Sequence, residues 1–105
     1  MANPWAGEVE VILDGERRLA KLTLGALAEL EAALHSGTLI DLVERFEQGR
    51  YSTRDVLELV VAGLRGGGWQ GRAEDLRTAE IGGGPVRAVR IAAELLARAF
   101  ATPEA

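Results

Sequence analysis

The chain has 105 residues and a formal net charge of −4, with 12 Lys and Arg against 16 Asp and Glu. That balance argues against non-specific nucleic-acid binding, which draws its affinity from phosphate neutralisation. The lack of cysteine excludes disulfides and thiolate chemistry, and no apolar run approaches the ~20 residues of a membrane span.

The length fits one domain over residues 1–105. With aromatics at 5%, its core must come from Leu, Val, Ile and Ala. Met1 to Trp5 lacks the basic start and apolar run of a signal peptide, so a cytoplasmic location is expected.

A hairpin is expected over about residues 7–22. Val9, Val11 and Leu13 alternate with Glu8, Glu10 and Ile12, the period-two pattern of a half-buried strand. Asp14-Gly15 is a strong hairpin turn signal. The return over Arg17 to Leu22 has a weaker pattern, and loops of two, three or four residues all fit it. No later segment reads as a strand.

Five helices are expected after the hairpin. The first, about 24–35, starts at the N-cap Thr23 and carries Leu24, Leu27, Leu30 and Leu34 at helical spacing. The second, about 38–48, has the stripe Leu39, Leu42, Val43 and Phe46. The third, about 53–65, opens on Ser52-Thr53-Arg54-Asp55, which resembles a capping box with a shorter acid. It is apolar on nearly every side, which places it at the centre of the fold or against a partner.

Gly66-Gly67-Gly68 breaks the third helix, and a weak fourth, about 72–80, offers Leu76 and alanines. The fifth, about 85–101, begins after Gly82-Gly83-Gly84 with Pro85 at its first position. Val86, Val89, Ala93, Leu96 and Phe100 form its apolar stripe, which Ile91 and Leu95 widen sideways. Arg87, Arg90, Glu94 and Arg98 lie opposite, with Glu94–Arg98 a favourable i,i+4 pair. The fold class is α+β: an N-terminal hairpin followed by about five helices in a small, mostly helical domain.

Catalytic constellations are missing from this pattern, so no enzymatic activity, cofactor or metal is expected. His35, the lone histidine, suits the carbonyl-rich end of the first helix better than a general base. Gly66-x-Gly68-x-x-Gly71 matches the dinucleotide-binding pattern in letters but follows a helix rather than a strand, so it reads as a flexible interhelical loop. Gly82-Gly83-Gly84 has no lysine after it and is no P-loop. The carboxylate pairs Glu29 and Glu31, Asp41 and Glu44, Glu44 and Glu47, and Glu74 and Asp75 fall on polar helix sides, where they stay solvated. The arginines of the last helix, interrupted by Glu94, suit a solvated or protein-docking ridge better than phosphate binding.

Trp5 and Trp69 each lie in a loop beside glycine, as a lid on the core or an anchor for a partner. With Leu59 and Val61 of the third helix and Ile91 and Leu95 of the fifth, they are the candidate partner-binding residues.

Several segments, in their joint order, resemble the gene transfer agent family of small tail proteins, described as phage tail assembly chaperones or tail tube proteins. They are Asn3-Pro4-Trp5, Gly7-Glu8-Val9, Leu13-Asp14-Gly15, and Leu22 through Glu31. Leu42 through Phe46, Asp55-Val56-Leu57, Ala62 through Gly68, Ala79-Glu80-Ile81 and Ala92 through Leu96 continue the match. The resemblance implies tail morphogenesis. In that role the protein is a chaperone holding the tape-measure protein or unpolymerised tail subunits, or else a tail tube component retained in the particle. It implies other tail proteins as partners and a possible homo-oligomer; from the charge and the lack of a long apolar run, no nucleic acid and no membrane are expected.

Overall fold

Asp14 and Gly15 both take left-handed backbone angles, φ 49° and 80°. This is the two-residue turn whose twist matches an antiparallel ribbon. It fixes the register that the sequence left open: Leu13 faces Glu16 and Val9 faces Ala20, pairing β1 (Val9–Leu13) with β2 (Glu16–Ala20). In the computed structural model, which describes residues 6–34 and 37–100, five helices follow among the described residues. They are α1 (Leu24–Ala33), α2 (Leu39–Glu47), α3 (Thr53–Gly66), α4 (Ala73–Thr78) and α5 (Gly84–Ala99). The architecture is α+β.

Val9, Val11 and Leu13 are buried, as the alternation requires. They share one core with α3, the central helix, which buries Val56, Leu59, Val60, Val61, Ala62 and Leu64. The Lys21 N–H donates to the Gly63 carbonyl at 2.8 Å, joining the end of the hairpin to the last turn of α3. There the glycines permit close approach. A Cβ on Gly66 would overlap the Lys21 carbonyl oxygen, and one on Gly67 would overlap that of Leu19. Expected as a flexible loop, this run instead begins as a backbone-on-backbone packing surface.

The same contact sets the rotation of α1. Its buried residues are Ala26 and Leu30, while Leu24 is 85% exposed. Leu27, Leu30 and Leu34 of the expected stripe pack on the core and only Leu24 departs: beside Gly66 the gap between helices admits Ala26, and Leu24 turns outward.

The expectation of no later strand is corrected at one residue. Ile81 forms a single antiparallel bridge with Leu13. Gly82 N–H donates to the Ile12 carbonyl, and Asp14 N–H donates to that of Glu80, both at 2.8 Å. One extended residue between a helix end and a glycine turn carries no periodicity to read.

The largest correction concerns α5. It buries Ile91, Ala92, Leu95 and Leu96, so Ile91 and Leu95 are the middle of its core face rather than its margin. Val86 is 68% and Phe100 42% exposed, and Ala93 is also exposed. The cause lies in the arginines. Arg87 donates to the Glu10 carbonyl, and Arg98 donates to that of Glu8. The arginine face therefore leans on the outer edge of β1 and turns the Val86–Phe100 stripe away from the core. Glu94 pairs with Arg87 at 3.5 Å, in place of the expected pair with Arg98.

The Ser52–Asp55 capping box forms. Asp55 N–H donates to Ser52 Oγ at 3.1 Å, and Ser52 N–H donates to Asp55 Oδ2 at 2.9 Å. The carboxylate also takes a forked pair from Arg45, Nε to Oδ2 at 3.3 Å and Nη2 to Oδ1 at 3.0 Å, which clips α2 to α3. Burial alone would raise Asp55, but the bonds from Arg45 and Ser52 outweigh it and hold the carboxyl below its ordinary 3.8.

Two outcomes follow from this packing. Gly67→Ala should cost more than about 2 kcal/mol in urea unfolding, because its Cβ meets backbone that no rotamer change can move. Asp55→Ala should cost about 2 kcal/mol at neutral pH through the lost cap and charge-assisted bonds. Because the folded pKa is depressed, that contribution is whole above the unfolded value and is lost as pH falls through the folded one. The gap between wild type and variant should therefore close only in strong acid, a trend that urea titrations at stepped pH would read.

Candidate partner-binding surface

The six candidate residues separate cleanly. Leu59, Ile91 and Leu95 are buried in the core, and Val61 is nearly so. An apolar side chain serves a partner only if the fold leaves it accessible, and α3 is enclosed by α1, α4, α5 and β2. These four pack within the core of the monomer. Trp69 is half-buried against the core, and its backbone N–H donates to the Leu64 carbonyl at 2.9 Å. Its indole lies over Gly71, where any Cβ would strike the ring. Trp5 and His35 lie outside the described residues.

The polar residues weighed for chemistry are largely engaged in structure. Asp41 completes a capping box with Thr38, and Asp75 accepts from the Arg72 N–H at 2.8 Å. Glu29 pairs with Arg65 at 2.9 Å. Arg87 and Arg98, expected on a free ridge, satisfy strand carbonyls instead. Among the described residues no group of three or more His, Cys, Asp or Glu could hold a metal ion. No helix among them is long and apolar enough to cross a membrane.

The rotation of α5 leaves an open apolar groove between that helix and α2. It holds about 420 Å³. Val43 and Phe46 form one wall, Ala93, Ala97 and Phe100 form the other, and Leu96 floors it. The Phe46 ring stacks on Tyr51, centroids 4.6 Å apart and 14° from parallel, which holds that wall in place. Ile40, one turn before Glu44, is 61% exposed and extends the apolar surface of α2. Glu47 stands at the rim.

The outer edge of β1, the other surface suited to partners, is occupied. Arg98, Arg87 and Gly82 cover the carbonyls of Glu8, Glu10 and Ile12 in turn. Strand addition at that edge would have to displace all three.

The model of the family described as "Phage tail tube protein, GTA-gp10" matches residues 6–102. The chain belongs to this family. The match spans the hairpin, all five helices and both walls of the groove, in agreement with the resemblance to gene transfer agent tail proteins. No curated protein and no solved structure matches the chain. Membership makes other tail proteins its partners in broad terms.

Sequence reasoning missed the groove, although its signal was visible. The stripe Val86, Val89, Ala93, Leu96 and Phe100 has the most regular spacing in the helix; Leu96 is buried and Val89 packs against the core, but Val86, Ala93 and Phe100 are exposed. A second apolar stripe, Ile91 and Leu95, runs beside it, and the core is centred on that one, leaving the far margin of the first exposed. Urea unfolding would verify this: Leu95→Ala should cost about 2–5 kcal/mol, whereas Val86→Ala should change stability by less than about 0.5 kcal/mol.

Proposed function

We propose that the protein is a structural component of the tail of a phage-like particle of the gene transfer agent type. It joins its neighbours through the α2/α5 helical face. The observation that carries this reading is the family match across nearly the whole chain. The geometry supports the mode of contact, because the groove is apolar and open while the β1 edge is already bonded. In this role the protein acts by contact alone and makes or breaks no covalent bond.

A second reading is an assembly chaperone that keeps the tape-measure protein or unpolymerised tail subunits soluble and then leaves. What favours it is the sheet. Two strands of five residues each are little material for a tube wall.

Quantitative mass spectrometry of purified particles separates the two. The structural reading expects this chain in a fixed ratio to the other tail proteins. Its absence from mature tails, together with a higher soluble yield of tape-measure protein on co-expression, would establish the chaperone instead.

A further inference from the structure

The outward face of α5 has a symmetry of its own. Val86 and Phe100 stand seven residues before and after Ala93, about 10.5 Å along the helix in either direction. Both ends are large and exposed, while the middle, Ala93 and Ala97, is small and exposed. Small residues at a helix crossing allow close approach, and large ones at the ends fill the space left as the helices diverge.

The charges follow the same arrangement. Arg90 and Glu94 lie on one flank of the stripe, three residues before Ala93 and one after. Arg90 is exposed, and its side chain has no ion pair or hydrogen bond among the described residues. Glu94, paired with Arg87 at 3.5 Å, keeps 39% of its side-chain surface open.

We propose that the occupant of this face is a second copy of the chain, with α5 packed antiparallel on α5 of its partner about a two-fold axis at Ala93. In that arrangement Val86 of each copy meets Phe100 of the other across the crossing. A two-fold of this kind keeps each flank of the stripe on its own side. Arg90 of one copy therefore comes within about two residues' rise, ~3 Å along the axis, of Glu94 of the other, and the exchange happens twice. Val43 and Phe46 of the two α2 helices border the contact on its other flank. The inference rests on the α2/α5 face being the contact surface, and names what meets it.

Sedimentation velocity and equilibrium on the purified full-length chain test this. Wild type should sediment as a dimer at tens of micromolar. Ala93→Arg, which places bulk and like charge on the two-fold, should be monomeric with unchanged circular dichroism. Arg90→Glu alone should weaken the dimer at least tenfold, and Arg90→Glu with Glu94→Arg should restore it. A wild-type chain monomeric at 100 μM would overturn the proposal, as would a dimer that survives Ala93→Arg or a charge exchange without rescue. Should the wild type be monomeric while Ala93→Arg is excluded from particles, the face would still be the tail contact surface and only its pairing with a second copy would fail.

Discussion

The structure depends on one close contact, the last turn of α3 pressed against the backbone of β2. The Lys21 N–H donates to the Gly63 carbonyl there. Gly66 and Gly67 leave no room for a side chain above the Lys21 and Leu19 carbonyls. An isolated two-stranded ribbon is marginal in water. This one is held by a helix at its return strand, by Ile81 and Gly82 near its turn, and by two arginines along β1. Because the contact is between main chains, it fixes orientation more tightly than apolar side chains alone would. It sets where α1 leaves the hairpin and therefore which of its residues face inward.

A second constraint acts through α5. Arginines that look like a solvated ridge on a helical wheel are instead the donors for exposed strand carbonyls. A strand edge left open to water invites pairing with other chains, and here long cationic side chains close it. The same bonds fix the rotation of α5. The helix has apolar residues on two adjacent stripes. With its arginine face drawn toward β1, the Ile91–Leu95 stripe packs on α3 and the Val86–Phe100 stripe is displayed. Closing the sheet edge and opening the helical groove are thus one event.

That link shapes the functional reading. A tail protein must present surface that associates with other chains without associating indiscriminately. The outer edge of β1, which would otherwise offer its carbonyls to an extended backbone, is covered. The groove that remains has shape, a stacked aromatic wall and a mixed charged rim, and such a surface discriminates among partners. On the proposed reading, this surplus apolar helix surface is contact surface.

By itself the sequence determined the hairpin and the Asp14-Gly15 turn signal, the number and order of the helices and the Ser52–Asp55 cap; it left the turn length open, and left α3 either at the centre or against a partner. Those features are written locally, in period, capping residues and glycine stops within a few positions of one another. The family resemblance was legible too, through segments spread along the chain. The tertiary structure alone decided the rotation of α1 and α5, the single bridge at Ile81, the bonding of Arg87 and Arg98 to strand carbonyls, and therefore the groove. Each depends on groups far apart in the chain, Gly66 against Lys21 or Arg98 against Glu8. A helix with two apolar stripes has no local reason to bury one rather than the other. The choice is made by what stands across from it.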